Sequence, residues 1–412
     1  MTDSVLDLCI VGGGPAGMMA GLLFARAGVK TLVLEKHGDF LRDFRGDTVH
    51  PSTLGLFDEL GLLDAFLERP HDKVADIEAV IAGTPYRIAD FSHLPGRAKF
   101  IAMMPQWEFL DFVADEARLY PDFQLRMNVE AEATIEAGGR VIGVRTRTGE
   151  EIYARLVIAA DGRGSKLRAG LPLRDLGAPI DVLWFRVPKQ RTPTNDTQGY
   201  ISGGEMIVAI DRGDYFQCAR VIEKGSAERV LARGIEAFRA EVAAVVPEVR
   251  DGIGDLASLA DVKLLTVTLD RLARWHRSGL LAIGDAAHAM SPVGGVGINL
   301  AIQDAVAAAN ILAGPMARGE DPGPLLALVQ KRRMFPVKVI QGMQRIVHRN
   351  VLRAALAGTV RKAPWPVRLL GRMSLLQRIP ARVLGLGVSR EHISSPDAGR
   401  RGQVSGASSL SR

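Results

Sequence analysis

Three short segments join glycines to an acidic side chain, and each has the makings of a nucleotide-binding turn. The first is Gly12-Gly13-Gly14-Pro15-Ala16-Gly17, a G-x-G-x-x-G pattern that follows an apolar run and opens a helix-like run. Gly12 permits a tight turn, Gly14 lets backbone approach a pyrophosphate, and Gly17 lets the helix pack closely on the strand. A helix opening at Pro15 and Ala16 offers free N–H groups and a partial positive charge to phosphate. Glu35, with Lys36 beside it, ends the next apolar run. A carboxylate there accepts from a ribose diol and repels a 2′-phosphate, so the site fits the adenosine half of FAD or NAD rather than NADP.

The second segment is DGRGSKLR at 161–168, and the third is GDAAH at 284–288, followed by SPVGGVGINLAIQDA at 291–305. Over roughly residues 1–330, the order and spacing of the three motifs resemble the group A flavoprotein monooxygenases, the family of para-hydroxybenzoate hydroxylase. That resemblance implies bound FAD, NADH or NADPH as reductant, dioxygen as co-substrate, and hydroxylation of an aromatic or lipophilic molecule through a flavin hydroperoxide. It places Asp161 and Gly162 near the pyrophosphate and the nicotinamide, with Arg168 as a nearby anion partner. By position, Arg45 and Gln106 match family residues that approach FAD. Gly284 and Asp285 end a buried strand, where the carboxylate can accept from a ribityl or ribose hydroxyl. Gly295 and Gly297 let backbone come against a flat ring, and the helix starting near Ile298 points its N-terminus at a reduced flavin, which is an anion. Asn299 is a candidate ring contact, and Pro292 shapes the ring face where oxygen reacts. Each has a plainer alternative: Asp285 as a cap, Asp161 as a turn residue, Arg45 as surface, Gln106 as a helix terminus.

The substrate side is less legible. Trp184, Phe185, Arg186, Tyr200, Met206, Tyr215 and Gln217 fall on strand-like runs that could roof a pocket. Alternation sets Tyr215 and Gln217 on one face and Phe216 on the other. Tyr215 could orient or help deprotonate a phenol, or could simply pack in the sheet. His50 is a candidate for flavin or substrate contact, and His288 for a structural role beside the Gly-Asp turn. No His, Cys and acid grouping has metal-ligand spacing, so no metal is expected.

The elements that must position these residues begin with a strand, turn, helix, strand unit over residues 5–35. Helices are predicted over 51–67, 105–119, 226–245 and 298–313, and strands over 123–130, 140–147, 151–159 and 262–269, with β-rich runs across 181–223. The fold class is α/β: a Rossmann-like FAD-binding domain (1–70, 101–175 and 276–330) interleaved with a β-sheet substrate domain (71–100 and 176–275). A basic helical extension (331–395) and a disordered tail (396–412) complete the expected organisation. With 47% hydrophobic and 24% charged residues, the chain has material for a full core. Cys9 and Cys218 cannot build a disulfide framework. No secretory signal or spanning run is apparent, which gives a cytoplasmic expectation.

Charge is unevenly placed. Residues 331–390 hold 14 Lys or Arg and no Asp or Glu, while residues 1–330 carry a net charge of −9. The run VKVIQGMQRIVHRNVLRAAL has apolar residues at helical spacing. It could pack on the acidic body, or lie on anionic lipid at the inner face of the membrane; nucleic-acid binding is not expected, as no fold for it is recognisable. Within enzymes, a halogenase is disfavoured because no W-x-W-x-I-P stretch occurs. A reductase of prenyl double bonds and a non-catalytic flavin-binding redox sensor remain as alternatives.

Overall fold

The computed structural model describes residues 6–41, 48–189 and 198–400. In chain order, the strands of the first half are β1 (Leu6–Val11), β2 (Thr31–Leu34), β3 (Thr48–Val49), β4 (Asp72–Val74), β5 (Asp76–Ile81), β6 (Thr84–Asp90), β7 (Ile101–Met103), β8 (Phe123–Arg126), β9 (Ala131–Ala137), β10 (Arg140–Thr146) and β11 (Glu151–Ala159). The second half adds β12 (Leu173–Asp175), β13 (Ile180–Pro188), β14 (Gln198–Ser202), β15 (Glu205–Asp211), β16 (Tyr215–Glu223), β17 (Lys263–Leu265), β18 (Asp270–Leu272), β19 (His276–Arg277) and β20 (Leu280–Ala282). The helices are α1 (Pro15–Arg26), α2 (Pro51–Glu59), α3 (Leu63–Leu67), α4 (Gln106–Arg118), α5 (Ala227–Leu231), α6 (Ile235–Val245), α7 (Gly297–Ala317), α8 (Leu326–Val347), α9 (Arg353–Leu356), α10 (Trp365–Arg372) and α11 (Ser374–Gly385).

One sheet runs β19-β20-β11-β1-β2-β8, with β9 and β10 branching antiparallel from β11. Its central strands are parallel, pairing β20 with β11, β11 with β1, β1 with β2, and β2 with β8. They read as continuous apolar runs because they are buried in the main core, where α1 and α7 contribute to the same cluster. α7 is long and apolar enough to cross a membrane, but it is buried in this core. A second sheet runs β17-β13-β16-β15-β14-β5-β6, so its strands come from two separated parts of the chain. Two small sheets, β3-β7-β4 and β12-β18, stand apart from these.

Two expected helices are broken by glycine, and other elements end early. The helix expected over 51–67 divides into α2 and α3 at Gly61, whose φ of +70° suits glycine. The helix expected over 226–245 divides into α5 and α6 at Gly234, φ +87°. The strand expected over 262–269 shrinks to β17, and the helix-like run from 337 ends α8 at Val347, continuing as a π turn (His348–Leu352) and α9. The tail expected to be disordered from 396 is ordered over its first residues. Ala398 N–H donates to the Arg26 carbonyl at 2.7 Å, Arg26 pairs with Asp397 at 3.1 Å, and Arg400 pairs with Glu116 at 2.9 Å. These contacts close the exposed end of α1. Residues 401–412 lie outside the described residues.

Candidate functional site

The three glycine-and-acid turns meet because their strands are neighbours. β1 delivers Gly12, β11 delivers Asp161 and β20 delivers Gly284, all at the carboxyl ends of adjacent parallel strands, the edge where α/β sheets bind ligands. Contact is close. A Cβ at Gly12 (φ +107°) would lie 2.4 Å from the Ala160 carbonyl oxygen and 2.8 Å from Asp161 Cα. A Cβ at Gly17 would lie 1.9 Å from the Gly12 oxygen. At Gly284 (φ +59°) it would meet Ala16 at 3.1 Å and Ala301 at 3.2 Å, so α1, the Gly-Asp turn and α7 pack on that glycine. Gly14 differs: a Cβ there would meet nothing within 4 Å, leaving open space in front of α1.

The residues present fit FAD. Neither α1, whose N-cap is Gly14 and whose first residue is Pro15, nor α7 has a side-chain cap, so first-turn N–H groups of both face a ligand edge. Buried Glu35 accepts from Gly13 N–H at 2.9 Å and from His37 N–H at 3.0 Å, which fixes its carboxylate beside the glycine turn. Lys36 is exposed. Burial raises the Asp161 carboxyl against hydrogen bonds from Ser165 and backbone, and its Oδ1 is buried without a partner. Gly162 takes φ +85°. Asp285 is partly open, with the Arg163 guanidinium 3.8 Å away. Gln106 opens α4 half-buried, while Arg45 lies outside the described residues. Gly294 and Gly295 are both left-handed, and a Cβ at Gly295 would lie 2.5 Å from Thr48 Oγ1. Gly295 N–H closes the turn on the Pro292 carbonyl at 3.0 Å, aligning backbone toward Gly297 and Ile298 at the start of α7.

Some candidates serve the frame instead. Asn299 Oδ1 accepts from His50 N–H (2.9 Å) and Thr53 Oγ1 (2.8 Å), while Nδ2 donates to the carbonyls of Thr48 (3.2 Å) and Gly295 (3.3 Å). Its side chain is thus spent on holding the loop; its backbone N–H remains at the helix start. His50 is fully buried, and its Nδ1 donates to the Leu384 carbonyl at 2.7 Å. Burial drives its pKa down to about 4, so it is a neutral clamp. Arg168 donates to the Ala286 and Arg163 carbonyls and lies 3.6 Å from Asp270, tying the Asp-Gly segment to the Gly-Asp turn.

The second sheet separates the expected roof residues. Phe185 and Tyr200 point away, into the cluster under α6, and Phe216 joins them. Trp184, Met206 and Val208 face the other way, beside Val293 of the turn that follows Pro292. Tyr215 and Gln217 share this inner face. The Arg186 guanidinium stacks 5.2 Å over the Tyr215 ring, and Gln217 Oε1 accepts from Arg212 Nε at 3.3 Å. Both cysteines are buried, and burial raises the Cys9 thiol to about 12, so neither is poised for redox work. Among the described residues no His, Cys or acidic group gathers to hold a metal.

Sequence reasoning missed what α8 does. Its buried face carries Arg333, Gln341 and Gln344 among the apolar Leu326, Val329, Val337 and Ile340, while Phe335, Met343 and Ile346 are exposed. Gln341 Nε2 donates to the Asp270 and Ala289 carbonyls, and Gln344 Nε2 to those of Ser291 and Val293. The loop that carries Pro292 is therefore gripped from behind. Arg333 Nε donates to Asp304 Oδ1 of α7 at 2.9 Å, and Asp304 Oδ2 meets His288 Nε2 at 2.5 Å and Gly284 N–H at 3.1 Å. Burial alone would raise the Asp304 carboxyl; His288 and Arg333 hold it below its ordinary value. Glu391, also buried, completes the cluster with Arg332 and Arg333. The visible signal was polar residues at 333, 341, 344 and 348, which share one helical face.

A Rossmann-type sheet, three converging nucleotide turns and an apolar-faced second sheet define a FAD-dependent oxidoreductase. The profile of the family described as FAD binding domain matches residues 5–343, and the chain belongs to that family, with the FAD-dependent aromatic hydroxylases and monooxygenases. It is 33% identical over 335 residues to 6-methylpretetramide 4-monooxygenase of Streptomyces rimosus, covering 79% of this chain and 80% of that protein. It is 25% identical over 378 residues to ubiquinone hydroxylase UbiL of Rhodospirillum rubrum, covering 86% and 85%. The fold matches that of OxyS anhydrotetracycline hydroxylase from Streptomyces rimosus, with TM-score 0.72, 22% identity, and 96% and 78% of the two chains covered.

Proposed function

We propose that this flavoenzyme hydroxylates a planar, polycyclic aromatic substrate, with residues 1–70, 101–175 and 276–330 holding FAD and residues 71–100 and 176–275 roofing the substrate. The observation that carries this reading is the apolar inner face of the second sheet, with Trp184, Met206 and Val208 set beside Val293 of the turn expected at the ring. When bound, FAD reduced by NADH or NADPH supplies the oxygen-transfer chemistry with dioxygen. The chain's own work is positional. Gly12, Gly14 and α1 cradle the pyrophosphate, Glu35 and Asp285 accept from sugar hydroxyls, and the α7 N-terminus stabilises negative charge on the ring. The apolar roof excludes water. By their names the relatives above act on 6-methylpretetramide, ubiquinone and anhydrotetracycline, and the apolar roof suits ring substrates. The test is to record the visible spectrum of purified protein, then screen polycyclic phenols for NAD(P)H oxidation with one labelled oxygen atom from dioxygen in the product. A colourless protein that refuses added FAD, or turnover without label, sinks the reading; the latter favours a reductase.

We infer also that the C-terminal segment touches an anionic bilayer. Trp365, Leu369, Met373, Leu375 and Ile379 are exposed on α10 and α11 and just between them. Arg361, Lys362, Arg368, Arg372, Arg378 and Arg382 are exposed among them, and no ion pair involves these six among the described residues. Each such cation is worth about 1 kcal/mol near anionic lipid. Co-sedimentation with phosphatidylglycerol vesicles at low salt, lost at high salt and absent for neutral vesicles, is the expected result; no sedimentation at low salt ends this inference.

A further inference from the structure

Two buried ring nitrogens near the turn that follows Pro292 have no hydrogen-bond partner among the described residues. Trp184 Nε1 is buried with no hydrogen-bond partner. Its ring packs in the apolar cluster that holds Val182, Ala219, Val221 and Val293. His348 is the second. It opens the π turn His348–Leu352, a rare geometry that concentrates at functional sites. Its neighbours Val347 and Leu352 belong to the same cluster as Trp184. Its Nε2 lies 2.8 Å from Ser291 Oγ, one residue before Pro292, and its Nδ1 is buried without a partner.

The proton on the imidazole can be assigned from its neighbours. Ser291 Oγ already accepts from Val293 N–H at 3.4 Å, and its own proton needs an acceptor. His348 Nε2 is within reach of it, so Nε2 accepts and the ring proton sits on Nδ1. Burial lowers the pKa of His348, which keeps the ring neutral. Trp184 Nε1 can only donate. Thr268 Oγ1, next to Val267 of the same cluster, is a third buried polar atom without a partner. An apolar surface with two spare donors costs stability unless a ligand uses them.

Resting on the flavoenzyme reading above, we propose that Trp184 Nε1 and His348 Nδ1 are the substrate-orienting donors of the pocket. They select a flat, largely apolar ring system that carries oxygen acceptors, carbonyl or phenolate, along one edge. Ser291 links His348 to the Pro292 turn, so substrate orientation and ring position are set by one bonded chain. The donors act by hydrogen bonding alone; no bond of the substrate forms or breaks on them.

The experiment uses FAD-loaded protein and two tricyclic probes of similar size, 1,8-dihydroxyanthraquinone and anthracene, with binding read from perturbation of flavin absorbance. Trp184→Phe and His348→Leu each weaken the dihydroxyanthraquinone by about tenfold. Both leave anthracene binding and FAD content unchanged, and His348→Gln, which keeps a donor, recovers part of the loss. Affinities within twofold of wild type for both substitutions overturn the assignment. So does a parallel loss of anthracene affinity, which is the mark of a packing role. Wild-type protein that carries FAD but binds neither probe overturns it too, whereas protein that carries no FAD overturns the flavoenzyme reading beneath it.

Discussion

At the scale of single residues, the glycines of the first turn are not equivalent. Gly12 and Gly17 are crowded by backbone: a methyl carbon on either would sit 2.4 Å and 1.9 Å, respectively, from the nearest atom, so alanine at either disturbs the turn itself. Gly14 faces open space. Gly14→Ala is therefore expected to leave the melting temperature of FAD-free protein unchanged while lowering FAD affinity at least tenfold, because the methyl group occupies the phosphate's approach. Isothermal titration with FAD, beside a thermal melt, reads both. His50 gives a pH prediction. Its folded pKa of about 4 lies below an ordinary 6.5, so the folded state binds fewer protons than the unfolded. The stability from its neutral form is present above pH 6.5 and is lost as pH falls through that window toward 4. The loss approaches about 3 kcal/mol. Urea unfolding across this range is expected to show a flatter pH dependence for His50→Asn than for wild type.

At the scale of elements, α8 buries a mixed face. Leu326, Val329, Val337 and Ile340 turn inward as in any amphipathic helix, but part of the surface it meets is a row of carbonyls from Asp270, Ala289, Ser291 and Val293, which need donors. Gln341 and Gln344 supply them. Arg333 locks the same helix to α7 through Asp304, with both side chains fully buried. Removing one partner of such a pair strands the other charge, at a cost of about 3–5 kcal/mol. Arg333→Met is expected to lower stability by that amount in urea unfolding and to open the segment after Leu325 to limited proteolysis. Asp304→Asn with Arg333→Met should cost less than the sum of the two, since the second change relieves the charge left by the first.

At the scale of the whole molecule, the C-terminal helices pack on the second sheet. α11 packs Ala381 and Leu384 into a cluster with Phe91, Ile210 and Trp184, on the sheet proposed to roof the substrate, and its outer face is the basic, apolar surface. A chain ended after Thr359 keeps α8 but loses α10 and α11. It also loses the Leu384 carbonyl that holds His50 and the Glu391 partner of Arg333, so it is expected to be less stable and, once loaded with FAD, to divert reducing equivalents into hydrogen peroxide because water reaches the ring. Peroxide formed per NAD(P)H consumed measures this; unchanged coupling would show that the segment is dispensable.

Much of this was already written in the chain. Turn glycines, the helix starts behind them and the acid after the second strand are local requirements of backbone conformation and of phosphate, so Gly12, Gly17, Glu35, Asp161 and Gly284 mark a candidate nucleotide site without reference to distant residues. Parallel buried strands announce themselves by continuous apolar runs. What the chain alone could not settle is which face each element presents. Tyr200 and Phe185 turn from the site, Asn299 spends its side chain on His50 and Thr53, and α8 buries its polar row. Those choices depend on partners such as Asp304 and Arg333, or Ser291 and His348, far apart in the chain and adjacent only after folding. Hydropathy periodicity assumes that the covering surface is apolar; where part of that surface is a line of backbone carbonyls, hydrogen bonding adds Gln341 and Gln344 to the buried face beside Val337 and Ile340, and only the tertiary structure reveals it.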